Sequence, residues 1–583
     1  MNGFFNRILR INMNTKSFFY ETIGDDILHN TLGGKGLGTY LLYNENPVNV
    51  DPFSPDALLI ITVGPITGTK CWSQSRFGVF AKSPATGGYC ESYCGGSLAP
   101  RIKGCGIDAV IIAGACDSLV FCIIDEAGVS FEDASLLQGS DTFSAEDAIC
   151  ARSRERAGAM VIGPAGENRI ACACIKSDRY RSVGRGGMGA VMGSKNIKGI
   201  SFAGTRKATI ADEALLMEHN KALVQEYRDS PVTKKYQQRG TPAQVETTNK
   251  LQCFPTRYWQ SGNFAKWRSI SSDYMLENFD VKAHPCPSCF LKCTKHSIVK
   301  KGRHAGLEID GPEFETIYAI GGLNEIDSLE EIAWLNELCD KLGIDTMSAG
   351  NLSAFAIEAS KAGKIDFAID YNQPDRTAEF YRMVAHRKGV GRVFAKGIKQ
   401  AASELAMEDI AVHVKGLEPA GFDPRVLKGM GLSYAVSARG ACHLRGTFYK
   451  AELSGEIDKN QVRGKAKLFI DYEDRCALFD SLILCRFYRD FILWDGLSTI
   501  IKATTGMDHS RQELARLANR ITQQSRAYNL REGIDEREDR LPARLCKEAN
   551  REGATVSAGD IATMVTEYNA LRRSIEDEEK TQA

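Results

Sequence analysis

Glycine clusters in this chain rather than repeating. Its runs lie at 33–38, 64–68, 87–96 and 184–193, and short apolar segments fall at 58–63, 109–113, 120–124 and 160–162. Aliphatic, β-branched segments of that length read as strands, not helices. Glycine loops between strands lack the Cβ that keeps backbone N–H groups away from a ligand. The pattern over residues 1–203 therefore predicts a β-rich body whose loops face something bound. Collagen and linker architectures are excluded, because the 54 glycines among 583 residues keep no period. Two glycine-rich halves are visible, but no exact internal repeat.

Near Lys207 helical periodicity takes over, first across 211–228. Ser328 and Glu331 fit a capping box, in which each side chain meets the other's free N–H. Ile332, Leu335, Leu338 and Leu342 then keep one apolar face until Gly343 stops the helix. A further helix is expected over 352–361, and a second capping box at Ser510 and Glu513 precedes Leu514, Leu517 and Ile521. The charged stretch 531–540 reads as a solvated loop, and the charged end 575–583 as a frayed terminus.

Composition narrows the class. At ~150 residues per domain, the length suits three or four domains. With 43% apolar and 25% charged residues the chain can bury a large core. Lys+Arg and Asp+Glu are both 73, so no net charge recruits nucleic acid or an anionic membrane. No apolar run approaches the ~20 residues of a membrane span. Arg7 and Arg10 interrupt the apolar start, so no secretory signal is expected and the expected location is the cytoplasm. In that reducing setting the 18 cysteines are core fillers, catalysts or metal ligands, and spacing must decide.

Cys286-Pro-Ser-Cys289-Phe-Leu-Lys-Cys293 is the strongest chemical signal. Three thiolates in one tight turn can take three corners of a [4Fe–4S] cubane, and the fourth must come from elsewhere. Zinc competes, with His284 and His296 near enough to join, although no second knuckle exists; chance thiols are the third reading. Gly184-Arg-Gly186-Gly187-Met-Gly189 matches G-x-G-x-x-G, but the preceding 177–183 is polar loop, so a nicotinamide site is weakly supported. What survives is either a loop of bare N–H groups suited to phosphate, beside Arg181 and Arg185, or a plain tight turn. Asp340 to Asp345 and Asp480 to Cys485 share one outline, with carboxylates at helix-end or loop positions. Such groups either accept bonds from a heterocycle rich in N–H donors or merely cap and solvate. Glu313 and Glu315, in Gly-Pro-Glu-Phe-Glu, and His443 are residue types for acid–base work, and nothing local shows that they meet.

Taken in order, LGGKGLGTYLL, GPITGT, SRFGVFAKSPATGG, GPAGENRIA, GRGGMGAVMGSKNIKGI, CPSCFLKC, GPEFETI, DKLGIDT, DPR and RGACH closely resemble the tungsten-containing aldehyde:ferredoxin oxidoreductases over nearly the whole chain. The resemblance implies an α+β enzyme. Its N-terminal β-rich domain of two sheets (1–203) carries a bis-pterin cofactor, and two mainly α-helical domains (204–415 and 416–583) follow. It implies tungsten, or molybdenum, held by pterin dithiolenes, and one [4Fe–4S] cluster on Cys286, Cys289, Cys293 and Cys485. Arg76 falls where pterin and cluster are linked, and Asp340, Asp345, Asp480 and Leu484 fall in segments that contact pterin. Gly95, Gly96, Arg181, Ser182 and Gly184 fall on phosphate-holding loops, with carbonyls of Tyr93 and Ser182 set for Mg2+ between the phosphates. Glu313 and His443 fall on proton-transfer positions.

Several positions depart from the family pattern. Tyr93 replaces asparagine, Lys35 replaces arginine, and Ile483 replaces a glycine, which threatens to displace its loop. Trp334-Leu-Asn-Glu337 replaces a metal-binding glutamate–histidine pair, so a homodimer or heteromer without bridging iron is expected. The expected activity is oxidation of a small-molecule aldehyde with water to a carboxylate. Electrons would leave through the cluster to ferredoxin or an iron–sulfur partner subunit. The alternatives are a family branch acting on a non-aldehyde substrate and an electron-transfer subunit without an active tungsten site.

Overall fold

In the computed structural model, which describes the backbone of residues 1–582 and side chains as far as residue 575, the glycine-rich region folds into two six-stranded sheets. The first contains β1 (Arg7–Asn12), β2 (Ser17–Thr22), β3 (Leu59–Thr62), β4 (Phe77–Lys82), β5 (Tyr89–Cys94) and β6 (Ala109–Ala113), ordered β2-β1-β6-β3-β4-β5. The second contains β7 (Val120–Ile124), β8 (Val129–Asp133), β9 (Gly158–Val161), β10 (Ile175–Ser177), β11 (Arg181–Val183) and β12 (Ile197–Phe202), ordered β8-β7-β12-β9-β10-β11.

The two orders are one topology used twice, strand for strand. In each sheet the first and last strands pair parallel, and all other pairs are antiparallel. A trace survives in the sequence, where Val63-Gly64-Pro65 follows β3 and Ile162-Gly163-Pro164 follows β9. Strands β3, β4, β9 and β12 are buried along their whole length, which explains the apolar runs that contain β3 and β9. Leu9, Ile61 and Val79 of one sheet share a core with Cys122, Met160 and Ile200 of the other. Edge strands β5 and β11, equivalent in the two copies, lie against each other.

Helices dominate from Glu213, as the periodicity predicts. Helix Glu213–Tyr227 is capped by Asp212, and the Ser510–Glu513 capping box is complete. At Ser328 only half of the expected box forms. Its hydroxyl accepts from the N–H of Glu331, while the Glu331 carboxylate is taken by Arg303 and His304. The helix expected at 352–361 starts earlier, spanning Thr346–Lys361, because Asp345 caps it. The stretch 531–540 is not simply solvated. Glu532 pairs with Lys82, and buried Asp539 pairs with Lys415 and Arg526, so it docks against other segments. The frayed end expected at 575–583 falls almost wholly outside the described side chains.

Candidate active site

Three cysteines sit on a hairpin. Strands β13 (Phe279–Ala283) and β14 (Lys295–Val299) pair antiparallel, β15 (Glu308–Asp310) extends them, and the loop 284–294 carries the thiols. The His284 N–H closes that loop on the Thr294 carbonyl at 3.0 Å. Ser288 and Lys292, each immediately before a cysteine, take left-handed conformations (φ +52° and +49°), which turn successive thiols into one cavity. Cys485 reaches the same cavity from the end of helix Lys465–Leu482. Ser73 ties the two arrivals together, its carbonyl accepting from the Cys485 N–H and its N–H donating to Ser288. The Gly96 N–H points at Cys286 Sγ (3.3 Å) and the Tyr488 hydroxyl at Cys289 Sγ (3.6 Å).

The four thiols wall a space of about 330 Å³ rather than converge on a point. Among the described residues, no three His, Cys, Asp or Glu side chains are close enough to hold a single ion. His284 and His296, the rivals for zinc, instead direct Nδ1 at Asp310, at 2.8 and 3.3 Å.

The rest of the site is built twice. Helices Leu329–Leu342 and Lys465–Leu482 end in left-handed caps, Gly343 (φ +74°) and Ile483 (φ +67°). Each end presses on the glycine of one Gly-Pro copy. A Cβ on Gly163 would sit 2.5 Å from the Leu342 carbonyl oxygen, and one on Gly64 2.3 Å from that of Leu482. Ile483 therefore does not displace its loop. A left-handed isoleucine costs ~1–2 kcal/mol, while full burial of its side chain is worth ~1.5–3 kcal/mol.

Asp340 and Asp480, three residues before these caps, both line the site, but each already has protein partners. Asp340 receives Lys176 and Asn336, Asp480 receives Arg486 and Arg445, and Asp345 caps its helix while accepting from Arg185 at 3.0 Å. Lys35, the substituted arginine, pairs at 2.7 Å with buried Glu91. Burial opposes ionisation of Glu91, yet Arg445 and Lys35 together hold its carboxyl below the usual range.

The glycines of the loops differ in kind. At Gly184 a Cβ would meet nothing nearer than 3.9 Å, so the space before its backbone is open. Gly96 (φ +104°) is required by its backbone and by Asp178, and Gly95 backs onto Cys286. Arg76, Tyr93, Gly95, Arg181, Ser182 and Gly184 all face the cavity. Leu484 is packed in the core behind it. Arg181 bonds Thr294 and the His284 carbonyl, whereas Arg76 has no hydrogen bond or ion pair among the described residues.

A second space of about 500 Å³ shares Arg76, Tyr93, Ser182, Gly184, Glu313, Glu315 and Cys485 with the first and adds His443 and Asp480. Glu313 does not touch His443; Thr241 donates to it instead. Glu315 is the residue against the imidazole, 3.4 Å from Nε2. Burial raises the Glu313 carboxyl and lifts Glu315 to about 8. Burial, then Arg439, Arg185 and Arg445, pushes His443 well below its usual value. At pH 7 the pair is thus a neutral carboxylic acid facing a neutral imidazole. A six-residue π-helical stretch, Ile317–Gly322, follows directly; such turns recur at functional sites.

The Glu315 shift sets a pH dependence. Its folded pKa lies above its unfolded one, so between about 4.5 and 8 the unfolded chain has released a proton the folded chain keeps. This group's stabilisation is full below that window and is lost as pH rises through it. Glu315→Gln should flatten the fall of Tm between pH 5 and 8, measured by calorimetry. An unchanged slope would mean that Glu315 is already ionised at neutral pH.

Thr241, Lys176 and the Glu91–Arg445 pair carry no mark in the sequence. Their only signal is proximity across the fold.

Residues 8–204 match the family described as "Aldehyde ferredoxin oxidoreductase, N-terminal domain", and 218–574 match "Aldehyde ferredoxin oxidoreductase, domains 2 & 3". The chain is 32% identical to the tungsten-containing aldehyde ferredoxin oxidoreductase of Pyrococcus furiosus, over 99% of this chain and 97% of that one. The protein of the same description from Thermococcus kodakarensis gives the same identity and coverage. Among solved structures, the BamBC active-site complex of benzoyl coenzyme A reductase with 1,5-dienoyl-CoA shares the fold. Its TM-score is 0.80 at 21% identity, covering 98% of this chain and 94% of that one. The chain is an oxidoreductase that belongs to the aldehyde ferredoxin oxidoreductase family.

Proposed function

We propose that this oxidoreductase holds a tungsten bis-pterin across the duplicated wall and one [4Fe–4S] cluster on Cys286, Cys289, Cys293 and Cys485, and that it oxidises an aldehyde to a carboxylate. One observation carries the reading: the same helix-end geometry occurs twice around the site, once with Asp340 and Asp345 on the four-thiol cavity and once with Asp480 on the space that joins it, just before Cys485. A two-lobed ligand suits a wall built twice.

The residues present fit these groups. Arg76 is a half-buried guanidinium on the cavity with no hydrogen bond or ion pair among the described residues, which calls for an anion such as a thiolate, sulfide or phosphate. Gly184 leaves its N–H approachable. Asp340, Asp345 and Asp480 would use remaining lone pairs for pterin N–H donors. Gly95, Gly96, Arg181 and Ser182 would hold the phosphates. Tyr93 and Ser182 occupy the same place in the two copies, one residue before the ends of β5 and β11, which suits paired carbonyls on Mg2+.

When bound, the tungsten centre supplies two-electron chemistry, and the cluster supplies one-electron transfer to ferredoxin or an iron–sulfur partner. The protein's share is position and protons. Glu313 and His443 hold and move protons, with Glu315 as the partner that orients His443, and Phe314, Phe422 and Leu444 keep water from them. The domain boundaries 203 and 415 and a cytoplasmic location complete the proposal. Among the described residues, no helix is long and apolar enough to cross a membrane.

Anaerobic purification with analysis of tungsten, molybdenum and iron, followed by aldehyde oxidation against ferredoxin, tests the reading. Iron without tungsten or molybdenum would leave an electron carrier. Full metal content with no aldehyde turnover would favour a branch acting on another substrate. Gly184→Val should lose tungsten and pterin together while keeping iron and the Tm of the cofactor-free chain, because no protein atom blocks the new side chain. Full pterin content in that variant would remove the loop from the site.

A further inference from the structure

The larger space runs outward from His443 to the surface beside helix Pro231–Arg239, where Val232 and Lys235 are exposed. Its inner part is apolar and aromatic. Phe422 stacks on Tyr449 at 4.1 Å, and Tyr236 and Phe487 meet at 5.1 Å further out. Its mouth is cationic. Lys235 has no hydrogen bond or ion pair among the described residues. Lys450, about a third exposed, pairs with Asp490, and Asp490 is shared with Arg489 at 3.9 Å. Lys235, Lys450 and the buried Arg489 behind them thus stand against Asp490 and against Glu246, which acts on Lys235 but is shared with Arg239. The neighbouring Arg239 is already engaged by Glu246 and Asp273. Glu313 and Glu315 lie at the inner end, where burial favours their neutral forms.

We propose that this mouth selects carbonyl substrates whose far end carries an anion, a carboxylate or a phosphate, received by Lys235 and Lys450 while the carbonyl end enters the aromatic throat. The inference rests on the aldehyde reading and deepens it. A neutral substrate would leave the excess positive charge solvated only by water. An anionic one would gain a charge-assisted bond and be steered from outside by the same field. Apolar length between the two ends suits the stacked rings.

The test compares 4-formylbenzoate with its methyl ester, and 4-formylphenyl phosphate as a third arm, on the holoenzyme. The expected kcat/KM preference for the acid over the ester is about tenfold at low salt, and should shrink as ionic strength rises. In the Lys235→Gln/Lys450→Gln double variant the preference should collapse towards parity, and Lys235→Arg should retain it. Whichever of the carboxylate and phosphate arms has the higher kcat/KM identifies the group received. Equilibrium binding of terephthalate, followed by titration calorimetry, reads the mouth without turnover and should weaken in the double variant. Equal use of acid and ester by the wild type overturns the proposal while leaving the aldehyde reading intact. So does a preference unchanged in the double variant. If no aldehyde is oxidised but terephthalate binding still depends on the two lysines, the mouth stands and the aldehyde reading falls.

Discussion

Replacing Cys485 with alanine should strip the cluster or convert it to a lower-iron form, and should abolish electron delivery to any external acceptor. Cys286, Cys289 and Cys293 hang from one hairpin loop, whereas Cys485 arrives from a helix end nearly two hundred residues later. A cubane takes four thiolates, and among the described residues no other cysteine lines the cavity to replace the lost one. Cys546→Ala is the control: this thiol lies on the short helix Ala543–Lys547, against a different core. Wild type and the control should carry about four irons per chain, with the reduced-cluster signal in electron paramagnetic resonance.

A bridging iron at a twofold contact would add about half an iron per chain. None is expected, because Trp334 stacks on His304 at 4.9 Å and Glu337 pairs with Lys341 at 2.9 Å. Tightly bound zinc in place of iron, in protein purified without air, would sink the cluster assignment.

Strands β3, β6, β7 and β9 were legible because their apolar runs are buried on both faces, and the helices because caps and stripes are local. The duplication was not. Only Gly-Pro after β3 and β9 survives as shared sequence, since each copy packs against different helices and has kept backbone geometry rather than side chains. Ile483 illustrates the point: the left-handed cap persists although the residue that makes it easy has gone. The three hairpin cysteines announced themselves by spacing. The fourth had no local mark, and came only from likeness to a family. Glu315 could not be told from Glu313 for a similar reason. Glu313 and Glu315 share one motif, and only the fold decides which of them meets an imidazole 128 residues away. Of the two sequence readings of the helix-end carboxylates, capping is what Asp345 shows, and the same residue borders the cavity.

Turnover should fall ~10²–10⁴-fold in Glu313→Gln and in His443→Asn, with tungsten, pterin and iron retained. Neither residue is proposed as a ligand, so loss of rate with full cofactor content separates proton handling from assembly. His443 is held neutral by burial and by nearby Arg439, Arg185 and Arg445, so it can take up a proton only from a reaction that delivers one close by. Glu315, raised to about 8, offers it a neutral O–H partner below that pH. As pH climbs past about 8, Glu315 ionises and the pair becomes an acceptor facing an acceptor or a newly drawn ion pair. The rate should therefore show an alkaline limb near that value in wild type, lost in Glu315→Gln. Glu313 sits apart, bonded by Thr241 and nearer Cys293, where its raised pKa suits proton exchange on the cluster side of the cavity. Glu313→Gln should then lower the rate without moving the alkaline limb, whereas His443→Asn should lower it and erase the limb together. Near wild-type oxidation by both variants across pH 6–9, at full metal content, would make both residues structural and leave the proton path to other groups.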